Sequence, residues 1–160
     1  MQVRIAICDD EQIMLDKIKD KVSEISNTVN VKTDIYTYSE AKRAVEVLCC
    51  LEEYFDILLL DVDMPELSGL EVAKLVRECK ENLILIFVSS HDQYVFESIE
   101  YNPFRYIRKN RILEELPLAL NAAFARLDNE KDKSIIVKTD DGEIRLFHSE
   151  IMYYEIQNRR

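Results

Sequence analysis

The chain has 160 residues, 48% of them hydrophobic, and a formal net charge of −10. That length supports one good core, or one core with a small appendage. The acidity lies wholly before residue 131: 25 acids face 15 bases through Glu130, and 6 face 6 from Lys131 onward. Nucleic-acid binders carry a basic footprint, so the first segment does not read as one. No apolar run approaches the roughly 18 residues of a membrane helix, and the N-terminus carries no signal-peptide pattern. The expectation is a soluble, cytoplasmic protein with no membrane contact. Cys8, Cys49, Cys50 and Cys79 show no metal-ligand spacing, and buried thiols in a reducing compartment are expected.

In chain order, Val3 to Cys8 is an apolar strand that runs into Asp9-Asp10-Glu11. A helix follows, with Met14, Ile18, Val22 and Ile25 on one face. Val31 to Tyr38 alternates polar and apolar and reads as an edge strand. Ser39 is a candidate cap for a helix whose inner face is Ala41, Ala44, Val45 and Leu48. Ile57 to Leu60 is a wholly apolar strand that ends in Asp61, so it should be buried on both faces. Beyond Pro65, Ser68 and Glu71 have capping-box spacing and open a helix with Leu70, Ala73 and Val76 inward. Leu83 to Val88 is a fourth strand, ending in Ser89-Ser90. A short helix near residues 93–100 should turn Val95 and Ile99 inward. Arg105 to Lys109 is a fifth strand. The last long helix carries Leu113, Leu116, Leu120, Ala123, Phe124 and Leu127 on one stripe, with Pro117 near its first turn; Phe96, Phe104 and Phe124 are assigned to the core.

Five strands alternating with five helices predict an α/β fold: a doubly wound parallel sheet over residues 1–127. Residues 128–133 read as a charged linker. Residues 134–160 read as a short C-terminal β appendage, with Asp141-Gly142 marking a hairpin turn and residues 151–156 a third β-like run. Three short strands bury little, so this segment reads as the beginning of a second domain or as a β appendage that leans on something else.

In a parallel sheet the carboxyl ends share one rim, where ligands bind. Asp9, Asp10, Asp61, Ser89 and Lys109 all fall there. Carboxylates about 4 Å apart repel by about 4 kcal/mol per pair at an effective dielectric near 20. A divalent cation removes that repulsion, and an all-oxygen set suits Mg2+. An Asp carboxylate can also attack phosphorus, a reaction that needs charge neutralisation above all. The blander readings stand beside these: Asp61 as a loop cap, Lys109 as a surface lysine among Arg105, Arg108 and Arg111, Tyr106 as packing, His91 and His148 as surface residues.

Asp9-Asp10, Asp61 with Met64-Pro65 and Gly69, Ser89-Ser90, Tyr106 and Lys109 together resemble the receiver domain of a two-component response regulator. Phe104 to Lys109 and the tail from Ile135 to Glu155 look most like the LytTR class, in which a receiver is joined to a β-rich DNA-binding domain. The resemblance implies a flavodoxin-like sheet in the order 2-1-3-4-5. It implies a phosphoacceptor rather than an enzyme, apart from slow self-dephosphorylation. Asp61 would take the phosphoryl group of a sensor histidine kinase. Asp9, Asp10, Asp61 and the Asp63 carbonyl would hold Mg2+, and Lys109 and Ser89 would contact the phosphoryl oxygens. Tyr106 would then shift, changing the surface of helix 4, strand 5 and helix 5. That surface would support a homodimer. Arg105, Arg108 and Arg111 themselves read either as partners of acids such as Glu97 or Glu100 across a dimer interface or as a solvated strand edge. DNA would be bound only by a longer parent chain. Asn110 stands where receivers usually have Pro, so no cis peptide is expected there. Two other readings stay open: a haloacid-dehalogenase-like phosphatase using Asp61-Val62-Asp63, and an inactive pseudo-receiver that only binds partners.

Overall fold

The computed structural model describes residues 1–50, 54–131, 134–139 and 142–147. They divide into two compact units, Met1–Phe124 and Ala125–Arg160. In the first unit, five parallel strands are ordered β2-β1-β3-β4-β5: β1 Gln2–Cys8, β2 Lys32–Tyr38, β3 Ile57–Leu60, β4 Ile84–Ser89 and β5 Arg105–Arg108. The apolar runs of β3 and β4 are buried at every residue, as strands covered on both faces must be. β2 is the half-exposed edge that its alternation indicates.

Helices α1 (Gln12–Thr28), α3 (Gly69–Cys79) and α5 (Ile112–Lys131) are continuous, whereas α2 and α4 are short. The α2 helix, Ala41–Val45, passes into a π-helical turn at Glu46–Cys50. The α4 helix, Val95–Ser98, lies between 3-10 turns at Asp92–Tyr94 and Ile99–Tyr101. The capping box forms as expected: Glu71 N–H donates to Ser68 Oγ at 3.3 Å and Ser68 N–H to Glu71 Oε2 at 2.9 Å.

Several sequence-based expectations are corrected. Ser39 does not cap α2; Glu40 holds that position without a side-chain hydrogen bond. In α1 the buried stripe runs through Leu15 rather than Met14. In α3 Val72 joins Ala73 and Val76 on the buried face, and Leu70 packs half-buried against the same core. A one-residue shift rotates a helix face by about 100°, so apolar residues on either side of the true stripe mislead the periodicity. Phe96, Ile99 and Leu113 are exposed, not core, because broken α4 and the first turn of α5 turn them outward. Phe104 is half-buried. Pro117 lies inside α5, beyond its first turn. The same helix continues past Leu127 to Lys131, so residues 128–131 are helical rather than linker, supported by an Arg126–Glu130 ion pair at 2.8 Å.

Cysteine is the other departure. Cys49 and Cys79 are disulfide-bonded and Cys50 is exposed; Cys8 alone is the buried thiol expected. No helix among the described residues is long and apolar enough to cross a membrane.

In the second unit, β6 (Ser134–Thr139) and β7 (Gly142–Phe147) pair antiparallel, with Thr139 opposite Gly142. Asp140, Asp141, His148 and the run at 151–156 lie outside the described residues.

Candidate functional site at the carboxyl rim

Ladder register builds the site. Cys8 pairs with Leu60 across β1 and β3, so the next residues, Asp9 and Asp61, emerge side by side. Asp61 N–H donates to Cys8 O at 2.9 Å, which fixes that offset. Ser89 pairs with Arg108 across β4 and β5, so Lys109 emerges next to the Ser89 end. Asp9 and Asp61 are buried, while Asp10 lies exposed at the mouth. One oxygen from each of Asp9, Asp10 and Asp61 falls within 4.8 Å of the others.

Lys109 Nζ donates to Asp61 Oδ2 at 2.8 Å, lies 2.7 Å from Asp9 Oδ2, and reaches Glu11 Oε1 at 3.3 Å. The contact with Asp9 is an ion pair without hydrogen-bond alignment, which leaves Asp9 Oδ2 buried and without a hydrogen-bond donor. Asp61 Oδ1 accepts Val62 N–H at 2.7 Å, with Asp63 N–H more distant at 3.4 Å; Asp9 Oδ1 accepts Glu11 N–H at 2.9 Å. A buried carboxylate oxygen without a donor, beside two more carboxylates, is a donor set that fits a hard divalent cation.

Burial, opposed by Lys109, raises the carboxyl pKa values of both Asp9 and Asp61 above the ordinary carboxylate range; for Asp61 the neighbouring Asp9 adds to the rise. Lys109 is shifted upward: burial disfavours its charge, but its hydrogen bond to Asp61 and the attraction of both Asp61 and Asp9 outweigh that. The Cys8 thiol, buried beneath three carboxylates, is pushed up to about 12 and is inert.

Gly69 is required by contact. A Cβ there would collide with the main-chain carbonyl of Asp61, and Gly69 N–H donates to Val62 O at 2.9 Å. The α3 helix is therefore seated directly against the loop that follows Asp61.

Ser89 is fully buried, and its Oγ accepts His91 N–H at 3.2 Å. The Tyr106 hydroxyl donates to His91 O at 2.6 Å while its ring packs on Phe87, with centroids 5.9 Å apart. Burial pushes the Tyr106 phenol up, against a hydrogen bond with Ser89. Asp63 turns its carboxylate outward to His91 Nε2 at 3.2 Å. The structure thus brings Asp9, Asp10, Asp61 and Lys109 together, sets Ser89 and Tyr106 on the adjoining strands, and places Asp63 at the rim. Sequence reasoning gave no role to Glu11 or His91. Their only signal was position, directly after Asp10 and two residues past Ser89.

No cis peptide occurs among the described residues, as Asn110 led us to expect. Residues 109–111 form a 3-10 turn that enters α5 directly, and Lys109 reaches both acids from it. Within the chain, Arg108 pairs with Glu115 at 2.6 Å and Arg111 with Glu114 at 2.8 Å.

The family profile described as the response regulator receiver domain matches residues 5–121. The chain belongs to that family. Among curated proteins, this receiver resembles the uncharacterized transcriptional regulatory protein YxjL of Bacillus subtilis, 28% identical over 125 residues that cover 76% of this chain and 54% of YxjL. It also resembles the transcriptional regulatory protein LytR of Staphylococcus aureus, 26% identical over 153 residues, covering 87% of this chain and 60% of LytR. The chain therefore spans between half and three fifths of these relatives. Among solved structures, a receiver domain protein from Clostridium thermocellum superposes with a TM-score of 0.68 at 21% identity, over 79% of this chain and 97% of that one. The response regulator TrrA of Thermotoga maritima, solved with Mg2+ and beryllofluoride, gives 0.65 at 24% identity, over 76% and 98%.

Proposed function

We propose that this receiver takes a phosphoryl group from a sensor histidine kinase onto Asp61. The observation that carries the reading is Lys109 Nζ lying 2.8 Å from Asp61 Oδ2, with Asp9 and Asp10 converging on the same point. An Asp61 carboxylate oxygen attacks phosphorus. The nitrogen–phosphorus bond of the kinase phosphohistidine breaks, and its electron pair returns to the imidazole. Lys109 exchanges an Asp61 oxygen for a phosphoryl oxygen and keeps its charge paired. Asp9, Asp10, Asp61 and the Asp63 carbonyl would hold Mg2+, as the donor-poor Asp9 oxygen supports. Bound there, the ion neutralises the charge that gathers on the transferring group.

The Ser89 hydroxyl then turns to the phosphoryl group. Because His91 joins Ser89 to Tyr106 through its own N–H and carbonyl, the 89–91 segment and Tyr106 move together. That changes the face of α4, β5 and α5, where Phe96, Ile99 and Leu118 are exposed, and favours pairing with a second copy through it. Slow hydrolysis of the acyl phosphate resets the switch. Residues 1–127 act as the receiver, and residues 134–160 open a LytTR-type output that binds DNA in a longer parent chain.

Incubation of the chain with a small acyl phosphate and Mg2+ tests this. A phosphoryl mass gain on Asp61 that persists for seconds or longer, absent in Asp61→Asn, supports the receiver. Rapid multiple turnover points instead to a haloacid-dehalogenase-like phosphatase, a reading the outward-turned Asp63 carboxylate does not favour. No modification leaves a pseudo-receiver.

A further inference from the structure

Far along α3 from the phosphoacceptor loop, two cysteines meet. Cys49 lies in the π-helical turn 46–50, and Cys79 is the last residue of α3; their Cα atoms are 5.7 Å apart and their sulfurs bonded, 30 residues apart in sequence. Cys79 is exposed, so the bond is open to a solution thiol. The same two sulfurs also face acceptors. Cys49 Sγ lies 3.7 Å from Leu75 O and Cys79 Sγ 3.4 Å from Val76 O. Opened to thiols, the two sulfurs must separate to van der Waals distance, and each S–H group then has a main-chain carbonyl close by to accept it.

The turn of α3 that carries Cys79 also carries Arg77. Its guanidinium donates to Tyr101 O at 2.7 Å and Asn102 O at 3.0 Å, in the segment leading into β5, and to Leu83 O at 2.7 Å and Glu81 O at 3.0 Å, at the start of β4. A single side chain thus pins the entries of two strands to the end of α3. Tyr106 lies on one of them. π-helical turns are uncommon and concentrate at functional positions. This one contains Cys49 and ends at Cys50.

We propose that Cys49 and Cys79 form a reversible thiol–disulfide switch that sets how firmly the end of α3, and through Arg77 the segment 99–104, is held. Oxidation is exchange with a disulfide-class oxidant. The Cys79 thiolate attacks one sulfur of R–S–S–R and releases RS−. The Cys49 thiolate then displaces the second RS−, so two thiols lose two protons and two electrons and the oxidant becomes two thiols. Closing the bond fastens the last turn of α3 to the π-helical turn and stiffens the Arg77 anchor.

The full, unphosphorylated chain is equilibrated across ratios of reduced to oxidised glutathione. Linked peptides are mapped by mass spectrometry and amide exchange is followed at residues 99–104. The readout needs neither kinase nor Mg2+, so its failure leaves the phosphoacceptor reading untouched. We expect a Cys49–Cys79 link that opens and closes with the ratio, and exchange at 99–104 slower by roughly threefold or more when closed. Cys79→Ser, at an exposed site, should abolish the difference, as should Cys49→Ser; Cys50→Ser should preserve it. A link made through Cys50, a bond that stays closed or open at every ratio, or equal exchange at 99–104 in both states would overturn the proposal.

Discussion

At the carboxyl rim Asp9, Asp61 and Lys109 are only 1%, 3% and 7% exposed, whereas on the α4 and α5 surfaces Phe96, Ile99 and Leu118 stand 83%, 59% and 71% exposed. Both regions invert the usual rule of apolar inside and charge outside. The rim holds charge where water is scarce, so each carboxylate depends on Lys109, and the pKa values of all three groups move. The α4 and α5 surfaces leave apolar side chains in water, at small cost to folding because they lose no packing. The two departures differ in how tightly neighbours enforce them.

Removing Lys109 should break the contrast most. Lys109→Ala leaves two buried carboxylates without their cation, and stability should fall by about 3–5 kcal/mol at neutral pH, read by chemical denaturation. Acid should recover part of that loss. Gly69→Ala comes next. A methyl group against the Asp61 carbonyl must displace the loop or α3, at about 1–3 kcal/mol, with slower phosphorylation by a small acyl phosphate in the same preparation.

Acidification acts on the same buried charges. Asp9 and Asp61 have raised pKa values in the fold, so the native state takes up their protons before the unfolded chain does. Their unfavourable contribution is present in full above the folded values and relieved as the pH falls through them. Lys109 acts at the alkaline end: its stabilising share is complete below the ordinary 10.5 and is lost as the pH climbs through its raised value. In the metal-free chain the relief at Asp9 and Asp61 should set in at a pH above the ordinary Asp value of 3.8, read by chemical denaturation across a pH series, and added Mg2+, which competes with those protons, should move it to lower pH. The smallest effect on folding is expected at the apolar face. Phe96→Ser and Ile99→Ser should each change stability by no more than about 0.5 kcal/mol. Each should weaken phosphorylation-dependent self-association measured by sedimentation.

How legible each region was follows from how local its causes are. Continuous apolar runs ending in Asp61 and Ser89 announced β3 and β4, and the Ser68–Glu71 spacing announced the start of α3, because a buried strand and a capping box are both written within a few residues. The rim was legible for a related reason: acids at the ends of parallel strands must share an edge. The mistaken helix faces at Met14 and Leu113 had apolar neighbours, Leu15 and Ile112, competing for the same stripe, and only packing against the sheet chooses between them. Ile99 misled because α4 breaks into a 3-10 turn there. Phe96 misled through composition alone.

By itself, then, the sequence determined the strand and helix alternation, the acids and the lysine at one end of the sheet, and the cap that seats α3, since each depends on neighbours within one turn or one strand. The tertiary structure alone decided that Lys109 reaches Asp61 and Asp9 from a 3-10 turn without a proline, that His91 joins Ser89 to Tyr106, and that Cys49 meets Cys79 across 30 residues. Those contacts arise from register between strands and from where separate helices end, distances that no local pattern of residues encodes.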